Sequence, residues 1–247
     1  MARAFYLLFG VLAYLIFFAT FLYLVAFVGN LPWVPRTVDR GHEVVGLVHA
    51  VAADIGLIAL FGLQHSVMAR QGFKRAWTRI VPEPAERSVY VLLASLVLIL
   101  LFWFWHPIPA TVWSTSNPLL VYLLWALFGL GWLIVLLSTF LLNHFELFGL
   151  QQVWHGAKGG PAAPPEFRTP LFYKRVRHPL YSGFILAFWA IPQMTAGHLL
   201  LAAGMTIYIL IAIRHEERDL VRLFGIQYQE YRRRAGMLIP RLGSRER

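Results

Sequence analysis

Residues 180–213 read LYSGFILAFWAIPQMTAGHLLLAAGMTIYILIAI, 34 positions without an Asp, Glu, Lys or Arg. One helix crosses the hydrocarbon core of a bilayer with about 20 residues, so this run is too long for a single span. Pro192 and the turn formers Thr195-Ala196-Gly197 divide it, which makes it a tight helical hairpin. Each arm is then short for a full crossing. Working back toward the N-terminus, four more apolar runs stand out at 5–28, 49–68, 90–105 and 119–142. The expected fold is all-α, a polytopic membrane bundle of four long spans plus a C-terminal helical hairpin. It forms one integral membrane domain, with the four-span bundle in 1–142 and the remaining chemistry in 143–247.

The composition agrees. Of 247 residues, 58% are apolar and only 14% are charged, against about 25% charged in a water-soluble domain. The absence of cysteine excludes disulfides, thiolate metal sites and a cysteine nucleophile. Arg3 precedes the first run in the manner of a signal peptide, but that run is too long and no small-x-small cleavage site follows. It is expected to stay as an anchor.

The net charge of +10 comes from 22 Lys and Arg against 12 Asp and Glu. Arg70, Lys74, Arg75, Arg79 and Arg87 follow the second run. Lys158, Arg168, Lys174, Arg175 and Arg177 follow the fourth, and nine more lie from Arg214 onward. The loop after the first run has Arg36 and Arg40, and residues 106–118 have none. By the positive-inside rule both termini are cytoplasmic. Charge distributed by membrane topology does not form one basic face, so nucleic acid is excluded as a partner; membrane lipid surrounds the chain instead.

Two polar segments do not read as plain connections. Asn143-His-Phe-Glu-Leu-Phe-Gly-Leu-Gln-Gln-Val-Trp154 is expected to continue the fourth helix. The other begins at Phe172-Tyr-Lys-Arg-Val-Arg-His-Pro-Leu-Tyr-Ser-Gly183. It resumes beyond the hairpin as Arg214-His-Glu-Glu-Arg-Asp-Leu and Phe224-Gly-Ile-Gln-Tyr-Gln-Glu-Tyr231. Taken alone, Arg177-His178-Pro179 is an interfacial cap on a helix with Pro in its first turn, and Glu216-Glu217 is a solvated helix end. The hairpin, however, returns the chain to the same membrane face. Arg177, His178 and Tyr181 can therefore meet Glu216 and Glu217.

The order Arg-His-Pro-x-Tyr-x-Gly, apolar hairpin, Glu-Glu, Phe-Gly-x-x-Tyr-x-x-Tyr resembles the isoprenylcysteine carboxyl methyltransferase-like superfamily of membrane methyltransferases. The resemblance implies S-adenosylmethionine as cofactor, held in a cytoplasmic pocket in 143–247. It implies that His178, Tyr181, Gly183 and Glu217 line this pocket, with Arg177 and Glu216 in support. Arg214 joins them as the nearest basic residue before the acidic pair, at a spacing unlike the eukaryotic pattern. Such residue types suit an ammonium, a carboxylate and an adenine. Gln64-His-Ser-Val-Met-Ala-Arg70, Glu86-Arg-Ser-Val-Tyr90 and the 143–154 segment are similar to bacterial methanethiol S-methyltransferases. That resemblance implies transfer to a small volatile thiol, methanethiol to dimethyl sulfide, with S-adenosylhomocysteine released. It says nothing of oligomeric state.

A small alkanethiol has a pKa of about 10, above the roughly 8.5 of cysteine, so a base would assist ionisation. His144, Glu146 and His65 are the candidates, with Gln151 and Arg168 as weaker ordering groups. Asp54, 11 residues before His65 and on the same helix face, reads first as a buried carboxylate bonded to a neighbouring helix. His42 and His49 read as interfacial, and Trp33, Trp103, Trp105 and Trp113 as belt aromatics. Two other readings stay open. One is a methyltransferase acting on a prenylcysteine carboxylate, a lipid or another hydrophobic acceptor. The other is a haem-binding, isomerase-like membrane protein using His49 and His65, which lie about 24 Å apart along one helix.

Overall fold

The structure is a computed structural model that describes residues 2–41, 45–158 and 167–241; His42, expected at the interface, lies outside them. In chain order the elements are α1 (Ala2–Val28), α2 (Leu47–Ala69), α3 (Gln71–Trp77), α4 (Glu83–Phe104), β1 (Thr111–Ser114), α5 (Pro118–Leu142), α6 (His144–Leu147), α7 (Leu150–Lys158), a 3-10 helix (Leu171–Lys174), α8 (Pro179–Trp189), β2 (Gln193–Thr195), α9 (Ala196–Phe224) and α10 (Ile226–Arg234). The strands β1 and β2 form a two-stranded sheet. Helices α1, α2, α4, α5 and α9 are long and apolar enough to cross a membrane. Lipid offers backbone groups no hydrogen-bond partner, so such runs must be helical. This is the all-α polytopic architecture expected, with the hairpin turning at Pro192–Thr195.

The second arm of that hairpin departs from expectation. Helix α9 has 29 residues because it does not stop where its apolar run stops at Ile213. It continues as a polar helix through the acidic pair, and its full length suffices for a crossing. Helix α4 likewise begins at Glu83, seven residues before its apolar run. Pro84 in the first turn and the acidic Glu83 and Glu86 favour that start.

The described residues divide into two compact units. The first comprises residues to 113, with 143–158 and 194–201. Within it α1 and α4 run parallel and α2 antiparallel. Phe27 lies 5.0 Å from Phe102 at one end, and the His65 and Tyr90 rings are 5.1 Å apart toward the other. At the Phe102 end the Trp105 indole donates to Val38 O at 3.0 Å. Only 1% exposed, Trp105 is a core residue and not a belt aromatic, because that bond matches its one polar atom. Trp33 and Trp103 are exposed as expected, and the Arg36 guanidinium sits 4.4 Å over Trp103. Asp54 is fully buried and accepts the His106 amide at 2.9 Å, just past the end of α4. His49 and His65 stand on one unbroken helix.

The second unit comprises 114–142, 167–193 and 202–241. Helices α5 and α8 pack antiparallel with their backbones touching at Gly131 and Gly183. A Cβ on Gly131 would stand 2.7 Å from both Ala187 N and Gly183 O. Small residues at such crossings are what van der Waals association in lipid requires. Trp132 then packs edge-on against Phe184 and Phe188. The Trp189 indole donates to Thr206 Oγ1 at 3.0 Å, tying α8 to α9. Gly131→Ala is expected to lower unfolding stability by roughly 1–3 kcal/mol, read as the thermal midpoint in detergent micelles. An unchanged midpoint would mean the two backbones can separate freely.

Candidate functional site

The start of α8 is fixed by chain from far downstream. Val176 bridges to Gly236 in parallel register. The Arg177 amide donates to Gly236 O at 2.8 Å and the His178 amide to Met237 O at 3.1 Å. The Ser182 hydroxyl donates to Leu238 O at 2.6 Å. His178 is the N-cap of α8 and Pro179 follows in the first turn, where its missing N–H is no loss. The Arg177 and His178 side chains thus leave a backbone bonded on its other edge.

Both side chains converge on Glu217. Arg177 Nε lies 2.7 Å from Glu217 Oε1, His178 Nε2 3.2 Å from the same oxygen, and Arg232 Nε 3.1 Å from Oε2. Arg177 Nη1 is engaged as well, donating to Ala235 O at 2.6 Å and Arg232 O at 3.2 Å. The Glu217 side chain is 9% exposed. A buried carboxylate survives only when paired and hydrogen-bonded, and this one has three cationic or donor partners.

Glu216 is placed differently. Its side chain is 44% exposed. Oε2 accepts the Tyr181 hydroxyl at 3.0 Å and lies 3.9 Å from His178 Nδ1. No hydrogen bond or ion pair is formed by its second oxygen among the described residues. Arg177, His178, Tyr181, Glu216 and Glu217 therefore gather in the second unit. Gly183 is one turn on in α8, occupied by the contact with α5. Arg214 is exposed on α9, and no hydrogen bond or ion pair joins it to the cluster among the described residues. Arg168 is exposed ahead of the 3-10 helix.

Three groups were not legible as site residues beforehand. Arg232 sits in a run of three arginines that reads as topology-setting charge. Tyr231 donates to Tyr173 O at 2.5 Å and to Val176 O at 3.3 Å. Burial, with Glu217 nearby, pushes its hydroxyl up to about 12 although Arg177 opposes the shift, so it stays a donor at any physiological pH. Tyr228 is 2% exposed and its hydroxyl has no partner. Burial and then Glu217 and Glu216 push that phenol well above its ordinary range. The available signal was the three-and-four spacing of 228, 231, 232 and 235, which marks one face of α10.

His144, Glu146 and His65 belong to the first unit, where three of the quoted motifs meet. Asn143 does not continue α5. Its backbone is left-handed, with φ of 99°, and its side chain accepts the Glu146 amide as the N-cap of α6. Its own amide donates to Glu146 Oε2 at 2.9 Å and Gln151 Oε1 at 2.6 Å. The chain therefore turns where continuation of the fourth helix was expected, because an Asn tolerates that conformation. The turn places His144 in the core, 5% exposed, with its Nε2 2.8 Å from the Tyr14 hydroxyl. Burial lowers its pKa. Its ring packs 4.8 Å from Phe148. His65 lies between Phe61 and Tyr90 at 5.2 and 5.1 Å. Arg87 stacks on Tyr90 and donates to Leu147 O at 2.8 Å. Beside these groups a cavity of about 430 Å³ is lined by Leu7, Val11, Asn143, Gln151 and Trp154 among others.

Comparison with known proteins gives near-full-length relatives. The chain is 54% identical over 233 residues to methanethiol S-methyltransferase 1 of Bradyrhizobium diazoefficiens, covering 94% of this chain and 81% of that one. It is 50% identical over 245 residues to methanethiol S-methyltransferase of Crocosphaera subtropica, covering 99% and 95%. Human nurim is 31% identical over 199 residues, covering 76% and 72%. No family model matches, and no solved structure matches.

Removing the charge of Glu217 leaves Arg177 buried without its counter-ion. Glu217→Gln is expected to lower unliganded stability by roughly 3 kcal/mol, whereas the half-exposed Glu216→Gln should change it by less than about 0.5 kcal/mol. Thermal unfolding of both variants checks the contrast, and equal midpoints would remove Glu217 as the keystone. His144 gives a pH dependence. Its folded pKa lies below its ordinary value of 6.5, so on acidification the unfolded chain binds the proton first. Stability contributed by the neutral ring is complete above about 6.5 and is lost as pH falls through the lower folded value. A series of melts from pH 7.5 to 5 should show this loss, and His144→Gln should flatten it.

Proposed function

This chain belongs to the methanethiol S-methyltransferase family, and we propose that it transfers the methyl group of S-adenosylmethionine to methanethiol, forming dimethyl sulfide and S-adenosylhomocysteine. The observation that carries this reading is identity of about half the residues over nearly the whole length of enzymes named for that reaction. The ion cluster on α8, α9 and α10 supports it.

The residues present fit the cofactor. Glu216, with an oxygen unbonded and open to solvent, suits its ammonium group. Arg232, half exposed while it bridges to Glu217, suits its carboxylate. The orphaned Tyr228 hydroxyl asks for a further polar contact. Glu217, Arg177 and His178 hold these groups in place instead of meeting the ligand first, which inverts the roles the family resemblance assigns to the two glutamates. When bound, the cofactor supplies an electrophilic methyl on a sulfonium.

The chain's own contribution is alignment and proton removal. A thiol this small has little surface to grip, so positioning must come from a closed, dry site. A sulfur–carbon bond forms as another breaks, and the thiol proton must leave. Among the candidate bases we propose His144, whose pKa burial lowers; Glu146 is exposed and bonded to Asn143. The apolar cavity beside Trp154 favours one alternative, a bulkier hydrophobic acceptor, since about 430 Å³ far exceeds a two-heavy-atom thiol.

The basic loops support an inner-membrane location with both termini cytoplasmic. That requires an even number of crossings. Among the described residues five helices are long and apolar enough to cross, and we assign the sixth crossing to α8, about 16 Å long, with the chain leading into the turn.

Purified protein in micelles, given methanethiol and S-adenosylmethionine, is expected to release dimethyl sulfide into the headspace, measured by gas chromatography. No product from methanethiol, with product from a prenylcysteine or longer thiol, would transfer the assignment to the hydrophobic acceptor. His144→Ala should reduce turnover more than donor affinity; unchanged turnover across pH would exclude it as the base. Glu216→Gln should weaken S-adenosylhomocysteine binding about tenfold, as the loss of one charged hydrogen bond does.

A further inference from the structure

Tyr228 is a buried polar group that the ion cluster leaves unexplained. Buried phenols as a rule find a hydrogen-bond partner. Tyr231, its ring 5.8 Å away, finds two, while the Tyr228 hydroxyl finds none. The two share the face of α10 that also carries Arg232 and leads to Ala235. Arg232, one turn beyond Tyr228, binds Glu217, and Arg177 lies against the same face through the carbonyls of Arg232 and Ala235. Phe167, Leu220, Val221 and Phe224 enclose the aromatic cluster to which Tyr228 belongs. The charges that act on its hydroxyl are Glu217, Glu216 and Arg177. The phenol therefore has an apolar wall around its ring and the charged cluster at its polar end.

Resting on the cofactor reading above, we propose that the Tyr228 hydroxyl donates a hydrogen bond to the amino-acid carboxylate of the methyl donor, forming with Arg232 an anion-binding half of the site that complements Glu216. The direction of the bond follows from the inventory of groups. A phenol has one hydrogen to place. A cofactor ammonium would leave that hydrogen unmatched, whereas a carboxylate accepts it, and a charged acceptor makes the stronger bond. Arg232, one turn on along the same face of α10, is the cation proposed to share that carboxylate.

Because the hydroxyl bonds to no protein group, its removal separates a ligand role from a structural one. The full chain in micelles, wild type and Tyr228→Phe, is titrated calorimetrically with S-adenosylhomocysteine and with its decarboxylated analogue, and the ligand-free thermal midpoint is recorded. Tyr228→Phe should bind S-adenosylhomocysteine about tenfold more weakly. It should bind the decarboxylated analogue as the wild type does, with a ligand-free midpoint no lower than wild type. Non-additivity of the two deletions is the signature of a direct contact. Unchanged affinity for S-adenosylhomocysteine overturns the proposal. So does an equal loss for both ligands, which would place the contact on the nucleoside or reveal a packing role. A wild-type protein that binds neither ligand overturns the cofactor reading itself, a result distinct from a failure of Tyr228 alone.

Discussion

A carboxylate that cannot be left alone organises the second unit. Glu217 is held by Arg177, His178 and Arg232, which come from the start of α8 and from α10. Burying that charge is unfavourable by several kcal/mol unless each lone pair is met, so the three partners must arrive together. Their arrival fixes the register of the tail against α8, because Arg177 Nη1 also donates to the carbonyls of Arg232 and Ala235. An ion cluster of this kind contributes specificity of arrangement more than raw stability. What it leaves open, the half-exposed Glu216 and the unmatched Tyr228 hydroxyl, is what a ligand can use.

The first unit solves a different problem with aromatic rings. Phe17 and Phe148 stack at 3.9 Å, with the Tyr14, His144, His65 and Tyr90 rings nearby. Arg87 crosses from the Tyr90 ring to the Leu147 carbonyl. Three short sequence motifs that are far apart in the chain become one neighbourhood by this packing. At the opposite end, Asp39 accepts the Thr195 hydroxyl at 2.5 Å and Asp54 accepts the His106 amide. Both ends of these helices are thus tied by polar and aromatic contacts, and the lengths between carry mostly apolar groups.

The spans were legible because lipid demands an uninterrupted apolar helix, a constraint visible in runs such as 5–28 and 119–142. The pairing of Arg177 and His178 with the acidic pair was legible because a hairpin returns its two ends to one face. Other features were hidden for physical reasons. Arg232 looks like any cytoplasmic arginine until α10 is folded back. Trp105 looks like a belt residue until its indole finds Val38. The left-handed turn at Asn143 carries no hydropathy signal, so the fourth helix seemed to run on. Helix α9 outlasts its apolar stretch because helical hydrogen bonds do not require an apolar sequence once the chain leaves lipid. The different settings of Glu216 and Glu217, one half-exposed and one buried, carry no sequence signal, since adjacent identical residues differ only in how each is oriented by the helix.

The backbone pairing of Arg177 and His178 with Gly236 and Met237 bears on biosynthesis. Those partner residues follow all five helices that are long and apolar enough to cross a membrane among the described residues, so they are made after them. Through the whole of co-translational insertion, the edge of residues 175–178 has no mate and the Arg177 guanidinium lacks its two carbonyl acceptors. A nascent chain can therefore have its five long apolar helices threaded into the bilayer before this pairing forms. The pairing forms only once α10 and residues 235–237 have left the ribosome and docked against residues 175–178.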